Sequence, residues 1–91
     1  LSGVEILELD ARGLNHPEPL ERSVEIFRRL DGSNLFHLLI HRLPQPLLTI
    51  AERHGIRFEV CEAAENEWHI IFSKSEEFDL KKVMKGYCSV Q

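Results

Sequence analysis

Histidine carries most of the chemistry this chain could do. The sequence has five histidines among 91 residues, and four of them stand at positions that suggest a task. His37 and His41 are four residues apart in a run rich in β-branched and aliphatic residues, and His69 lies in a second such run. Side chains two residues apart on a strand share a face. His37, Leu39 and His41 therefore fall on one face of their strand, and His69 falls on the face opposite to Trp68, Ile70 and Phe72. Imidazoles on adjacent strands, about 4.8 Å apart, can share one ion. His37, His41 and His69 are thus a candidate transition-metal set, with Glu59 or Cys61 as further donors if the register allows. The plain alternative is a solvated sheet face whose polar residues happen to be histidine.

The second candidate is His16, in Gly13-Leu14-Asn15-His16-Pro17-Glu18-Pro19-Leu20. Proline is best tolerated in the first turn of a helix, so His16 stands at a helix start. An imidazole there can ligate a metal, donate a hydrogen bond or shuttle a proton, or it can simply fill space beside Pro17. The run His41-Arg42-Leu43-Pro44-Gln45-Pro46 has the same character and opens a second helix. Two helix starts side by side favour an anion. Arg42 and Arg12 would add fixed charge suited to a carboxylate, phosphate or sulfur oxyanion. His16, Arg12, Arg42 and Glu18 are the expected ligand-binding residues, and no catalytic residue is expected.

The elements that must position these groups follow from periodicity. Val4–Leu9 reads as a strand. Leu20, Val24, Phe27 and Leu30 recur at helical spacing, with Arg28 and Arg29 in the last turn, before the stop at Asp31-Gly32-Ser33-Asn34. Leu35–His41 is a second strand, and a second helix runs from the Pro44/Pro46 segment to Gly55, a left-handed cap. Ile56–Glu62 and Trp68–Ser73 are two more strands joined by a short turn, which favours an antiparallel hairpin. The order β-α-β-α-β-β, with one apolar stripe per helix, predicts an α+β two-layer sandwich. It is a mixed four-stranded sheet with both helices on one face. All four lysines lie after residue 73. Residues 1–73 therefore read as the main domain and 74–91 as a C-terminal extension. Ser75 would cap a short amphipathic helix that carries Leu80, Val83, Met84 and Tyr87. That helix, or a second copy of the chain, would cover the free sheet face.

The segment Leu9-Asp10 through Leu20 resembles the signature of the TusA/SirA sulfur-carrier family. In that family a strand ends in Leu-Asp, a Gly-Leu loop follows, and Cys-Pro-x-Pro opens a helix. Here His-Pro-Glu-Pro stands in its place. The chain is most similar to a cysteine-less branch of TusA-like proteins, a domain of unknown function. That branch also carries Pro-x-Pro-Leu after the second strand and a Trp in the last, as Pro44, Pro46, Leu47 and Trp68 do here. The resemblance implies the same β-α-β-α-β-β fold over about residues 4–73. It does not imply sulfur transfer, because the persulfide-bearing cysteine is replaced. Some relatives look joined to hemerythrin-like proteins, which implies redox-metal partners as an alternative.

Composition narrows the rest. The formal net charge is −4, which argues against nucleic acid as a partner. No apolar run is long enough to span a membrane, and no secretory leader is visible. Cys61 and Cys88 are read as two unpaired thiols in a reducing cytoplasm. Neither stands at a predicted helix start, so sulfur transfer through them is disfavoured. There is no phosphate-binding glycine loop, His-Glu-x-x-His or nucleophile elbow. The expectation is a small non-enzymatic cytoplasmic binding module without cofactor. It would be a monomer or homodimer that takes a protein partner or a small anion. The alternative is a metal- or redox-linked protein built on His16 or on the sheet-face histidines.

Overall fold

The structure, a computed structural model, describes residues 4–88. Its elements run β1 (Glu5–Asp10), α1 (Glu18–Phe27), β2 (Asn34–Ile40), α2 (Gln45–Arg53), β3 (Arg57–Ala64), β4 (Glu67–Ser73) and α3 (Leu80–Met84). The strands form one mixed sheet in the order β1-β2-β4-β3. β1 and β2 are parallel, and β4 is antiparallel to both of its neighbours. This is the expected α+β architecture, and it puts β2 and β4 side by side at the centre.

Strand alternation divides the apolar residues between two cores. Phe36, Leu38 and Ile40 of β2 and Ile70 and Phe72 of β4 pack with Phe27 of α1 and with Leu47, Leu48 and Ala51 of α2. Phe36 and Phe72 stack at 5.2 Å. Phe27 meets Phe72 edge-on at 4.9 Å, a geometry that adds about 0.5–1.5 kcal/mol to simple burial. The opposite face is also covered. Leu35 and Ile71 pack against Leu80, Met84 and Cys88, with Val4, Phe78 and Tyr87 at the edge. The C-terminal segment thus occupies the face that the sequence leaves to it, to a second chain or to solvent.

Three local expectations are corrected. α1 stops at Phe27, with Arg28 as its C-cap and no basic residue in its last turn. The Asn34 side chain ends it, donating to the Arg29 carbonyl at 3.0 Å and accepting from the Asp31 amide at 2.8 Å. Leu30 is still buried, carried by a tight turn onto the Phe27 carbonyl. α3 is capped by Asp79, which accepts from the Lys82 amide, and Ser75 is not its cap. Ser75 instead turns the chain, accepting from Glu77 while its carbonyl is held by Arg57 and Ser73. Arg57 also takes the Phe78 carbonyl at 3.2 Å, so the linker is pinned to β3 before the helix can begin. Finally, Cys61 and Cys88 form a disulfide with their Cα atoms 6.4 Å apart. The reading of two free thiols fails because β3 and the end of α3 lie on the same sheet face, far apart in sequence and adjacent in space. The compartment argument built on free thiols loses its premise. No helix among the described residues is long and apolar enough to cross a membrane.

Candidate functional site

A cleft of about 490 Å³ opens between the starts of α1 and α2. His16, His41 and Arg42 line it with the amide side chains of Asn15 and Gln45, against apolar walls from Leu14, Leu20 and Leu43. The β1–α1 and β2–α2 loops meet here because β1 and β2 are parallel neighbours, so both carboxyl ends point the same way. Crevices at such strand ends are where open sheets with crossover helices bind ligands. Gly13 has φ of +87°, a backbone conformation that side chains other than glycine adopt at a cost. The following His16–Pro17 peptide is cis.

Prolines change the electrostatics expected of paired helix starts. Pro17, Pro19, Pro44 and Pro46 carry no N–H. Glu18 and Gln45 spend theirs on the carbonyls of Asn15 and Leu43. Neither helix has a side-chain cap, so His16 does not serve as one. Of the first-turn amides only those of Leu20 and Leu47 have no partner among the described residues, so recognition in the cleft falls mainly to side chains. Arg42 is exposed and makes no ion pair among the described residues. His41 has its Nδ1 buried with no hydrogen-bond partner, and such a group costs about 1–3 kcal/mol while it stays unpaired.

Two expected cleft residues lie elsewhere. The Arg12 guanidinium and amide clasp Asp10, with Nη2 at 2.9 Å from Oδ2. That hydrogen bonding holds the Asp10 carboxyl below its ordinary range. Glu18 pairs with Arg22 one helical turn on, at 2.6 Å. Both short-range partners could have been read from spacing, Asp10/Arg12 across a turn and Glu18/Arg22 at i,i+4. His41 was expected with His37 and His69. β2 ends at Ile40, so strand alternation no longer governs His41, and it turns into the cleft.

His37 and His69 do meet, on the α3 side of the sheet. They are 5% and 7% exposed, and His37 Nε2 lies 2.8 Å from His69 Nδ1. Tyr87 stacks on His37 with ring centres 3.8 Å apart. The outer nitrogens face carboxylates, His37 Nδ1 to Glu8 at 3.2 Å and His69 Nε2 to Glu67 at 3.4 Å. Burial pulls the His37 pKa below the ordinary histidine value, against the opposing pull of Glu8. Burial likewise raises that of Tyr87. The sequence did not reveal the carboxylate partners, although Glu8 pairs with His37 in the β1–β2 register and Glu67, two residues before His69, shares its strand face. Among the described residues no three His, Cys, Asp or Glu side chains are gathered as a metal-binding set.

Fold and site define a small α+β protein with a side-chain-lined cleft at the carboxyl ends of two parallel strands. The chain belongs to the family described as "Uncharacterized conserved protein (DUF2249)", whose model matches residues 8–74. The match covers the cleft and all of the sheet but the first half of β1, and it stops before α3. No curated protein matches the chain, and no solved structure does.

Proposed function

We propose that this protein is a non-enzymatic binding module. In this reading it takes a small anion, or an anionic group of a protein partner, in the cleft between α1 and α2. The observation that carries this reading is Arg42, without an ion pair among the described residues, beside His16 and His41 in one cleft. Arg42 is suited to a bidentate grip on a planar carboxylate or on two oxygens of a tetrahedral anion. The apolar walls favour a ligand with a carbon body over a bare ion. The TusA-like element order supports a sulfur-carrier frame, and His16 standing where that signature has cysteine speaks for binding over sulfur transfer.

Isothermal titration with sulfite, phosphate and small carboxylates tests it. Saturable binding to the parent chain is expected, weakened at least tenfold in Arg42→Ala and not restored by Arg42→Lys, which lacks the planar fork. Flat traces for every anion, with His16→Ala leaving all partner interactions intact, would sink the reading.

A further inference from the structure

The Cys61–Cys88 bond ties the family domain to the segment that follows it, since the family match ends at residue 74. Its two residues are placed unequally. Cys61 is half-buried on β3, the edge strand of the sheet. Cys88 is 6% exposed, in the turn that continues α3, where its amide donates to the Met84 carbonyl at 2.8 Å. A depression of about 410 Å³ opens onto both cysteines and is lined by Glu59, Lys81 and Lys85.

Lys81, Lys85 and Cys88 are spaced i, i+4 and i+7, which puts them on one side of the helical turns. Both lysines are exposed, and neither makes an ion pair among the described residues. Glu59 shares the strand face of Cys61 and offsets one of the two charges, so the depression keeps an excess of positive charge. Disulfides are opened by thiolates, and nearby cations favour both the attacking and the leaving thiolate. Which sulfur is attacked depends on access, and here access favours Cys61. We propose that the Cys61–Cys88 disulfide is a thiol-exchange site, opened at Cys61 by a small thiol bearing a carboxylate, which stays there as a mixed disulfide.

In that step the thiolate bonds to Cys61 Sγ and the Cys61–Cys88 bond breaks. Its electron pair leaves on Cys88 Sγ, which takes a proton from solvent. Attack by Cys88 on the mixed disulfide reverses the step and expels the thiol. A second equivalent of thiol instead leaves Cys61 reduced and releases the disulfide of the small thiol. While Cys61 is occupied, the end of α3 is no longer tied to β3. Tyr87, stacked on His37 at 3.8 Å, is then held by packing alone.

The test treats the oxidised full chain with 3-mercaptopropionate, 2-mercaptoethanol or cysteamine, which carry a carboxylate, no charge and an ammonium beside the thiol. Opening is followed by intact mass after acid quenching. Each rate is divided by that thiol's rate with 2-hydroxyethyl disulfide, which removes its intrinsic reactivity. At low salt the corrected rate for mercaptopropionate should exceed that for cysteamine by about tenfold or more. The difference should collapse in about 1 M salt. Lys81→Gln/Lys85→Gln should remove the preference, and Lys82→Gln should keep it. Peptide mapping should place the added thiol on Cys61. Where the intermediate is too short-lived to map, Cys88→Ser treated with the disulfide of mercaptopropionate should accumulate it on Cys61, in a chain that still folds by circular dichroism. Cys61→Ser should take up none on Cys88. The proposal is overturned if the bond opens only when urea unfolds the chain, or if the added thiol is on Cys88. Equal corrected rates for the three thiols, or a preference that survives in Lys81→Gln/Lys85→Gln, would also overturn it.

Discussion

Breaking the Cys61–Cys88 bond is the perturbation whose size can be worked out most directly. The disulfide joins residues 27 apart and clamps the end of the α3 segment to β3. In the chain-entropy account, closing a loop of that length contributes about 3.5 kcal/mol at 25 °C by restricting the unfolded chain. For a domain of this size each kcal/mol moves Tm by about 4–8 °C, so full loss corresponds to roughly 14–28 °C. The assay is thermal unfolding followed by circular dichroism, with and without a phosphine reductant, for the parent chain and for Cys61→Ala/Cys88→Ala. Reduction without mutation separates the covalent constraint from the small cavity left at Cys88, which is 6% exposed. The parent should fall by the stated amount on reduction, and the double variant should be insensitive to reductant. A parent chain that melts within 2–3 °C of itself in both conditions, against the entropy estimate, would refute the reasoning.

Acid should destabilise the fold through His37. Burial lowers its folded pKa below the unfolded value near 6.5, so below that pH the unfolded chain binds the extra proton and stability falls. Above it the effect is gone. Urea melts from pH 5 to 8 should show that slope in the parent and lose part of it in His37→Asn, and superimposable curves would count against it. Phe72→Ala removes a fully buried ring stacked on Phe36 and edged by Phe27, with an expected loss of about 3–5 kcal/mol by chemical denaturation. Asp79→Ala removes the α3 cap and should cost about 1 kcal/mol. Faster amide exchange confined to residues 80–88 is the accompanying sign.

Much of the fold is written in local pattern. Phe36, Leu38 and Ile40 alternate with His37 and Leu39, which is why β2 has a readable phase even though both of its faces are covered. Gly55, with φ of +72°, ends α2 where the sequence places a left-handed cap. Illegible features were those that depend on which strands become neighbours. Cys61 and Cys88 look unrelated until β3 and α3 share a face. His41 looks like a strand residue until β2 stops one position earlier. Asn34 reads as a turn residue, and only its two hydrogen bonds reveal that it ends α1 a turn early. In the cleft, His16 and Arg42 were legible because prolines announce helix starts. Arg12 and Glu18 lie outside the cleft lining, where Asp10 and Arg22 compete for their charge.

The central claim is that an anion sits on Arg42 in the cleft between the two helix starts. The most direct measurement is a titration of isotope-labelled protein with phosphate, sulfite and a small carboxylate, watched at the Arg42 side-chain Nε–H and the His16 and His41 rings by nuclear magnetic resonance. The account predicts saturable shifts at these three residues with one common Kd, lost in Arg42→Ala, while His54 and Arg12 stay still. Shifts that are absent, or that persist unchanged in Arg42→Ala, would contradict it.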